Sequence, residues 1–488
     1  MSSLYTSIAK GELPRISDSD ALRLFADCFP DLSHLKNADP TVESSSSTGS
    51  KSWTPSREIF GEDFTEVNRT LVSMLAVKWL LADDYEAFTG GQPEAVRLSR
   101  ASFQSLREFS LQENPSSQDI YALLVALAID DIGKDPALAQ EVEETASAAS
   151  PISPVSPASP ASPASSDHSG TVLQAAQAGL VSSLRDMPRE TRMAVLQNLV
   201  LGSRVNIAQV LQGETAPASL AVLQQIPDAD QGFHIRATVT FLDVAGAAAH
   251  RNPHGCVVMT ESVFRSYMAT IQRLDEFRKH LIDTPRACYD QVLSFRANIL
   301  HECGFGLLST DNSDERALLR LLSMGRVESK DVAERFQRAF NLLADPIRRA
   351  LVDGLSVDGI DDGVAVVPYY APGLLSEILK KIPKHSEDAI VQVLAAYMSF
   401  LAHVFDGSTP QPGKPGGLVE RDVSFALATV ESSEFKEHPD ILASLEMPWE
   451  KDDAAHRRRG GWYSAVKALA RFLYVGRSVQ GRGAGHLT

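Results

Sequence analysis

The chain alternates stretches of helical hydrophobic period with short polar breaks. In "DIYALLVALAIDD", Ile120, Leu123, Leu124, Leu127 and Asp131 fall at i, i+3, i+4, i+7 and i+11, one stripe of a helix. Ser116 with Asp119 resembles a capping box at its start, and Gly133 and Pro136 stop it. "RMAVLQNLVLGSRVNIAQVLQGE" (192–214) predicts one long helix, ended by Gly213 and Pro217. "GFHIRATVTFLDVAGAAAH" (232–250) predicts an apolar helix, with a strand the alternative for its first half, and 262–283 a strongly amphipathic one. Further helices are expected at 286–303, 314–324, 329–342, 373–382, 386–405 and 461–475. Only 351–375 is strand-like, and its glycines and prolines suggest a loop with a short extended piece. No fixed-period repeat runs through the chain. The expectation is an all-α fold, a helical bundle around one main core.

Two stretches break this pattern by composition. Residues 38–57 are rich in Ser and Thr, and 145–170 contain "SPISPVSPASPASPAS". Each proline removes a backbone donor and disfavours helix at the residue before it, so both stretches are expected to be disordered. The organisation read from this is an N-terminal segment over 1–57, partly disordered, and one α-helical catalytic domain formed by 58–144 and 171–488. A Ser-Pro loop at 145–170 interrupts that domain. A further break at 406–417 separates two helical patterns.

Composition narrows the class. Hydrophobic residues make up 44% of 488, enough for a large core. The net charge of −16 gives a global field that repels phosphate backbones, so no nucleic-acid partner is expected. The run Arg457-Arg458-Arg459 follows Glu450, Asp452 and Asp453 and reads as a solvated loop. The four cysteines form no CxxC pair, which is reducing-compartment usage. The N-terminus lacks a signal-peptide layout, and no apolar run approaches the roughly 20 residues of a membrane span. A soluble, cytoplasmic protein without a membrane span is expected; oligomeric state is not legible.

The chemistry concentrates where the oiliest helix ends. Asp130 and Asp131 leave it side by side, and Asp135 follows a turn later with Lys134 between, a DDxxxD pattern. An unpaired carboxylate in such surroundings costs several kcal/mol, so these groups must face a metal ion, a basic side chain or water. One reading makes Asp130, Asp131 and Asp135 ligands of Mg2+, a hard cation that takes oxygen ligands and would hold a diphosphate. The bland reading is a solvated helix C-terminus, a place the helix dipole makes poor for carboxylates. A second constellation is Asn206, Val210 and Glu214, at i, i+4 and i+8, with Arg204 and Gln209 beside it as candidates to touch phosphate oxygens. A third is Asp243 and His250, seven apart and thus two turns on one face, with Gly246 and Ala247 permitting close helix approach. Its bland reading is a buried Asp paired with a local Arg. Asp131, Asp243 and Lys134 are the candidates for catalysis. Walker A, GxGxxG, GxSxG and HExxH motifs are absent.

Two resemblances follow from these residues. "LAIDDIGK" is similar to the "LLHDIGK" signature of HD-domain phosphohydrolases, with Asp130 where the histidine stands; that swap hardens a metal site toward Mg2+ or Mn2+. The set "LAIDDIGKDPAL", "RVNIAQVLQGE", "FLDVAGAAAHRNPHGCVVMTESVF", "LLSMGRVESKDVAERF" and "VPYYAPGLL" resembles a fungal family of non-standard terpene cyclases of the humulene-synthase type. The similarity runs from about residue 60 to the C-terminus. That resemblance implies Mg2+-dependent ionisation of a prenyl diphosphate, farnesyl diphosphate first, and cyclisation in an apolar cavity. It implies metal binding by Asp130, Asp131 and Asp135 and a further ion on Asn206 and Glu214, with valine at the triad's middle position. The HD-like alternative is a metal-dependent phosphohydrolase or oxygenase on Mn2+ or Fe2+, with Asp131, Asp243, His234 and His250 as ligands. A non-catalytic helical interaction protein and a metal-free pericyclase complete the alternatives.

Overall fold

The computed structural model describes residues 3–38, 53–148, 168–185, 187–226, 230–382 and 387–451. The all-α class is as expected: among the described residues only two short strands interrupt the helices. The arginine run and the helix expected at 461–475 lie outside the described residues, as do 149–167 of the Ser-Pro stretch and 39–52 of the Ser/Thr-rich one. Residues 145–148 close the helix Pro136–Ala148 and 168–170 open the helix His168–Gln177, so helix reaches into both ends of the Ser-Pro stretch. Where the sequence suggested one main core, the contacts divide into two compact units. One comprises Met1–Val205 and Ile226–Met268, the other Asn206–Gln225 and Ala269–Thr488.

The first unit is organised by α1 (Thr65–Leu81), α2 (Ser117–Ile129), α3 (His168–Gln177), α4 (Arg189–Gly202) and α5 (Asp230–Gly246). α5 packs on α1, α2 and α4, and α2 also packs on α1 and α4. α2 is apolar nearly all round, α1 carries Glu66, Asn68, Arg69 and Lys78 among its apolar residues, and both are buried almost throughout. Helix propensity alone does not decide their place; a helix without a polar face is stable only inside other helices. The expected capping box of α2 is present: Ser116 Oγ accepts from Asp119 N at 3.2 Å and Asp119 Oδ2 accepts from Ser116 N at 2.9 Å. A short turn, Ile132–Lys134, ends the run before Pro136 opens the next helix. α3 packs on that turn, so closely that a Cβ on Gly133 would lie 2.1 Å from the His168 carbonyl oxygen. On α5, a Cβ on Gly246 would lie 2.4 Å from the Arg69 carbonyl oxygen, so glycine sets the distance between α5 and α1.

The second unit contains α6 (Pro285–Glu302), α7 (Ser313–Met324), α8 (Lys330–Leu342), α9 (Asp345–Ser356), α10 (Ala371–Lys381) and α11 (Glu387–Val404). Its core is built from residues such as Leu321, Phe336, Leu351, Leu374, Tyr397 and Phe400, all buried. The short extended piece expected within 351–375 is present, while both ends of that stretch are helical. The first residues of the stretch finish α9, and β1 (Asp362–Val367) pairs in parallel with β2 (Lys414–Glu420), in the register Val366 opposite Val419. The break at 406–417 therefore ends by supplying a strand. Two arginines tie the unit together. Arg316 Nε donates to Asp290 at 2.7 Å. Arg320 is fully buried and donates to four carbonyls, Gly213 at 3.0 Å, Thr215 at 2.8 Å, Leu355 at 2.6 Å and Glu214 at 3.4 Å, and lies beside the Tyr289 ring, 5.6 Å from its centroid. One guanidinium thus fastens the 213–215 loop to the C-terminal end of α9. Among the described residues no helix is long and apolar enough to cross a membrane.

Replacing Arg320 by Met keeps apolar volume and strips those buried carbonyls of their donor. An unsatisfied buried group costs about 1–3 kcal/mol, so R320M should lower the unfolding free energy by about 3 kcal/mol or more. Urea denaturation followed by circular dichroism reads this, and an unchanged midpoint would mean that Arg320 does not fasten the loop to α9.

Candidate functional site

The structure answers what Asp130 and Asp131 face: basic side chains. Asp130 accepts a two-pronged contact from Arg236 of α5, Nη1 to Oδ1 at 2.8 Å and Nη2 to Oδ2 at 3.3 Å. Asp131 Oδ2 lies 2.7 Å from Lys134 Nζ, and its Oδ1 lies 3.2 Å from Nε2 of His168. Lys134 Nζ also donates to Glu66 Oε2 of α1 at 2.6 Å. Glu66 in turn accepts from Arg69 Nη1, at 3.0 and 3.1 Å to its two oxygens. Arg69 Nη2 reaches Asp243 Oδ1 of α5 at 3.3 Å. One connected network of alternating charge therefore links α1, the end of α2, α3 and α5.

Burial grades across it. Lys134, Glu66 and Arg69 are 4%, 2% and 4% exposed at their side chains, whereas Asp243 is 32% exposed. The interior is dry and Asp243 stands at the edge. Burial alone would push the Asp131 carboxyl up; Lys134, His168 and Arg69 outweigh it and hold the group well below the usual carboxylate range. Burial would likewise drive Lys134 toward neutrality, but Asp131 and Glu66 raise it. Asp243 goes the other way. Burial and the repulsion of Asp131 exceed the attraction of Arg69 and push it up to about 6. His250 is pushed down to about 4 by burial and by the charges of Arg251 and Arg69.

The remaining expected residues take other parts. Asp135 is buried and accepts from Asn37 Nδ2 at 3.3 Å and from the backbone N of Ala137 at 3.0 Å, with His34 Nδ1 at 2.7 Å from its Oδ2. It caps the next helix and fastens the N-terminal segment. α5 ends at Gly246, so Asp243 and His250 do not share a helix face: His250 lies in the turns beyond. The long helix expected over 192–214 is broken. α4 stops at Gly202, and a five-residue helix, Ile207–Leu211, follows. Arg204 is exposed in the intervening turn. Asn206 is the N-cap of the short helix, its Oδ1 accepting from the Gln209 backbone N at 3.2 Å. Glu214 lies beyond that helix, so the i, i+4, i+8 stripe does not form.

Glu214 belongs to the second unit, buried, and its Oε1 accepts from the Tyr370 backbone N at 2.7 Å at the start of α10. Burial pushes its carboxyl up to about 8 against the pull of the Tyr370 and Ala371 amides, with Glu420 and Asp422 adding repulsion. Asp130 and Asp131 are legible in the sequence as site residues; Glu66, Arg69, Arg236 and His168 are not. Glu66 and Arg69 do leave a signal, an i, i+3 pair of opposite charges in a helix that is buried along most of its length. His168 sits in the stretch assigned to the Ser-Pro loop.

As the residues stand, they do not fit a divalent ion. The carboxylate oxygens of the network already hold ammonium or guanidinium groups, which a metal would have to displace. Among the described residues no group of three or more His, Cys, Asp or Glu side chains is arranged to hold one. Fold and site define a two-unit all-α protein with a buried ion network in its first unit. The chain belongs to a family of unknown function, DUF6829, which it matches over residues 22–442. No curated protein and no solved structure matches it.

A carboxyl raised in the folded state is protonated there at pH values where the unfolded chain has lost its proton. Glu214 therefore costs nothing below about pH 4.5, and destabilises progressively as pH rises from there to about 8. Glu214→Gln keeps an acceptor for Tyr370 and removes the proton. The variant should gain stability over wild type as pH climbs through that window and match it at pH 4.5. Denaturation midpoints compared at both ends check this, and parallel pH profiles would show that Glu214 titrates normally.

Proposed function

We propose that this chain is a non-catalytic helical interaction protein whose first unit is held together by an internal ion network in place of a metal centre. The observation that carries this reading is the pairing of the carboxylates. Asp130, Asp131, Glu66 and Asp243 are each in contact with a cation supplied by the chain itself. A lyase acting on a prenyl diphosphate needs metal ions free to grip the diphosphate, and an HD-like hydrolase or oxygenase needs histidines on its metal. In this chain the histidine on Asp131 is His168, with Lys134 on the same carboxylate. His234 instead packs against the Phe109 ring, with centroids 5.4 Å apart.

Breaking a buried ion pair by removing one partner costs about 3–5 kcal/mol, which makes such a network a determinant of fold and a poor reservoir of reactive groups. Asp243, 32% exposed at its side chain, is the most exposed member of the network.

The discriminating experiment incubates purified full-length protein with farnesyl and geranylgeranyl diphosphate and Mg2+, alongside elemental analysis. The expected result is no cyclised or hydrolysed product, and Mg, Mn, Fe and Zn well below stoichiometry with the chain. A hydrocarbon or alcohol product that EDTA abolishes would replace this reading with the lyase; product that survives EDTA would replace it with the pericyclase. Stoichiometric iron or manganese would favour the HD-like enzyme.

A further inference from the structure

The two-stranded sheet of the second unit leaves one strand open. β1 is buried on both faces: Ala365 and Val366, which point to opposite sides, are 1% and 3% exposed. β2 is the reverse. Leu418 and Val419 also point to opposite sides and are 44% and 40% exposed, and Val364 of β1 is 50% exposed. Among the described residues β1 is the sole neighbour of β2 in the sheet. Hydrogen bonding shows which backbone groups face outward. Gly417 N donates to Gly359 O at 2.8 Å and Arg421 N to Val367 O at 2.9 Å, so the odd-numbered positions of β2 turn toward β1. Alternation turns the N–H and C=O groups of Gly416 and Leu418 the other way. A strand edge with apolar residues exposed on both faces is a template for a further strand. This edge lies apart from the ion network and does not depend on how that network is read. We propose that β2 pairs with β2 of a second copy of this chain, antiparallel about a two-fold axis at Gly417, making one sheet in the order β1-β2-β2-β1.

The sequence of β2 complements itself in that register. Lys414 falls opposite the partner's Glu420 and Glu420 opposite the partner's Lys414, so the axis makes two opposite-charge pairs from one strand. That match, a base at one end and an acid at the other, selects a second copy over an unrelated strand. Gly416 falls opposite the partner's Leu418 and Leu418 opposite the partner's Gly416, and each such pair exchanges two backbone hydrogen bonds. The glycine leaves room for the leucine, and the two Leu418 side chains become diagonal neighbours on one face. On the other face Val419 meets the partner's Pro415. Proline has no N–H to give, and here it occupies a position turned toward β1, where the outer ladder asks nothing of it. Lys414 and Pro415 also blunt their end of the edge against other strands, which narrows the registers available. The contact is small, which places the pairing among weak, concentration-dependent associations.

The test is sedimentation velocity of the full chain from low micromolar to sub-millimolar concentration. Near-physiological salt screens the −16 charge of each copy beyond about 8 Å. Wild type should move from monomer toward dimer as concentration rises. Leu418→Pro removes an outward N–H while sparing the bonds to β1, and should stay monomeric throughout with unchanged circular dichroism. Lys414→Glu sets like charges opposite each other at both ends and should raise the dissociation constant about fivefold or more. Adding Glu420→Lys to that chain restores opposite charges in swapped order and should return the constant to within about twofold of wild type. If Leu418→Pro does not fold, the charge-swapped variants carry the test alone. A wild type monomeric at every concentration, a dimer that a folded Leu418→Pro leaves intact, or a double variant no tighter than Lys414→Glu alone would each overturn the proposal. None of these results touches the ion network, so the non-catalytic reading stands or falls separately.

Discussion

Everything in the first unit depends on one ammonium group held in a dry place. Lys134 Nζ touches Glu66 on one side and Asp131 on the other, and all three would be intolerable alone. Together they let an apolar helix end in carboxylates inside the protein, where the helix dipole and low polarity both oppose it. The same pairing draws in Arg69, and through Arg69 it reaches Asp243 on α5. A helix bundle bonded only by greasy surfaces tolerates sliding, whereas charges with fixed partners at 2.6–3.3 Å tolerate very little. The network thus sets how α1, α2, α3 and α5 meet, and the two close-approach glycines, Gly133 and Gly246, are needed because it does.

The second unit meets a similar problem with neutral groups. Arg320 finds carbonyls where Lys134 finds carboxylates, and Glu214 sits protonated against backbone amides near neutral pH. In each unit a buried polar group survives by having named partners from distant segments. The consequence differs: Glu214, its carboxyl raised by burial, makes its unit pH-dependent.

Much of this was legible in the sequence as a question and little of it as an answer. The helical class, the α2 boundaries and the oddity of "AIDD" at the end of an oily run all follow from local pattern. The partners do not, because Glu66, Arg236 and Asp243 are reached by contacts spanning 68, 106 and 174 positions. Periodicity says that Asp131 lies inside; only the fold says what lies opposite. The Asn206–Glu214 stripe failed for a local reason. Gly202 and Ser203 let the helix stop, and Asn206, a strong N-cap type, starts a new one, so spacing that presumes one continuous helix misplaces Glu214.

The central claim is that Lys134 and Asp131 stabilise each other as a buried pair within the chain, and a double-mutant cycle measures that directly. Unfolding free energies of wild type, Lys134→Met, Asp131→Asn and the double variant give the interaction energy. The account predicts that each single change is costly and that the double change recovers much of the loss, with a coupling of about 2–3 kcal/mol. Additive losses, with coupling near zero, would mean that the two groups ignore each other and that the ion network does not hold the unit together.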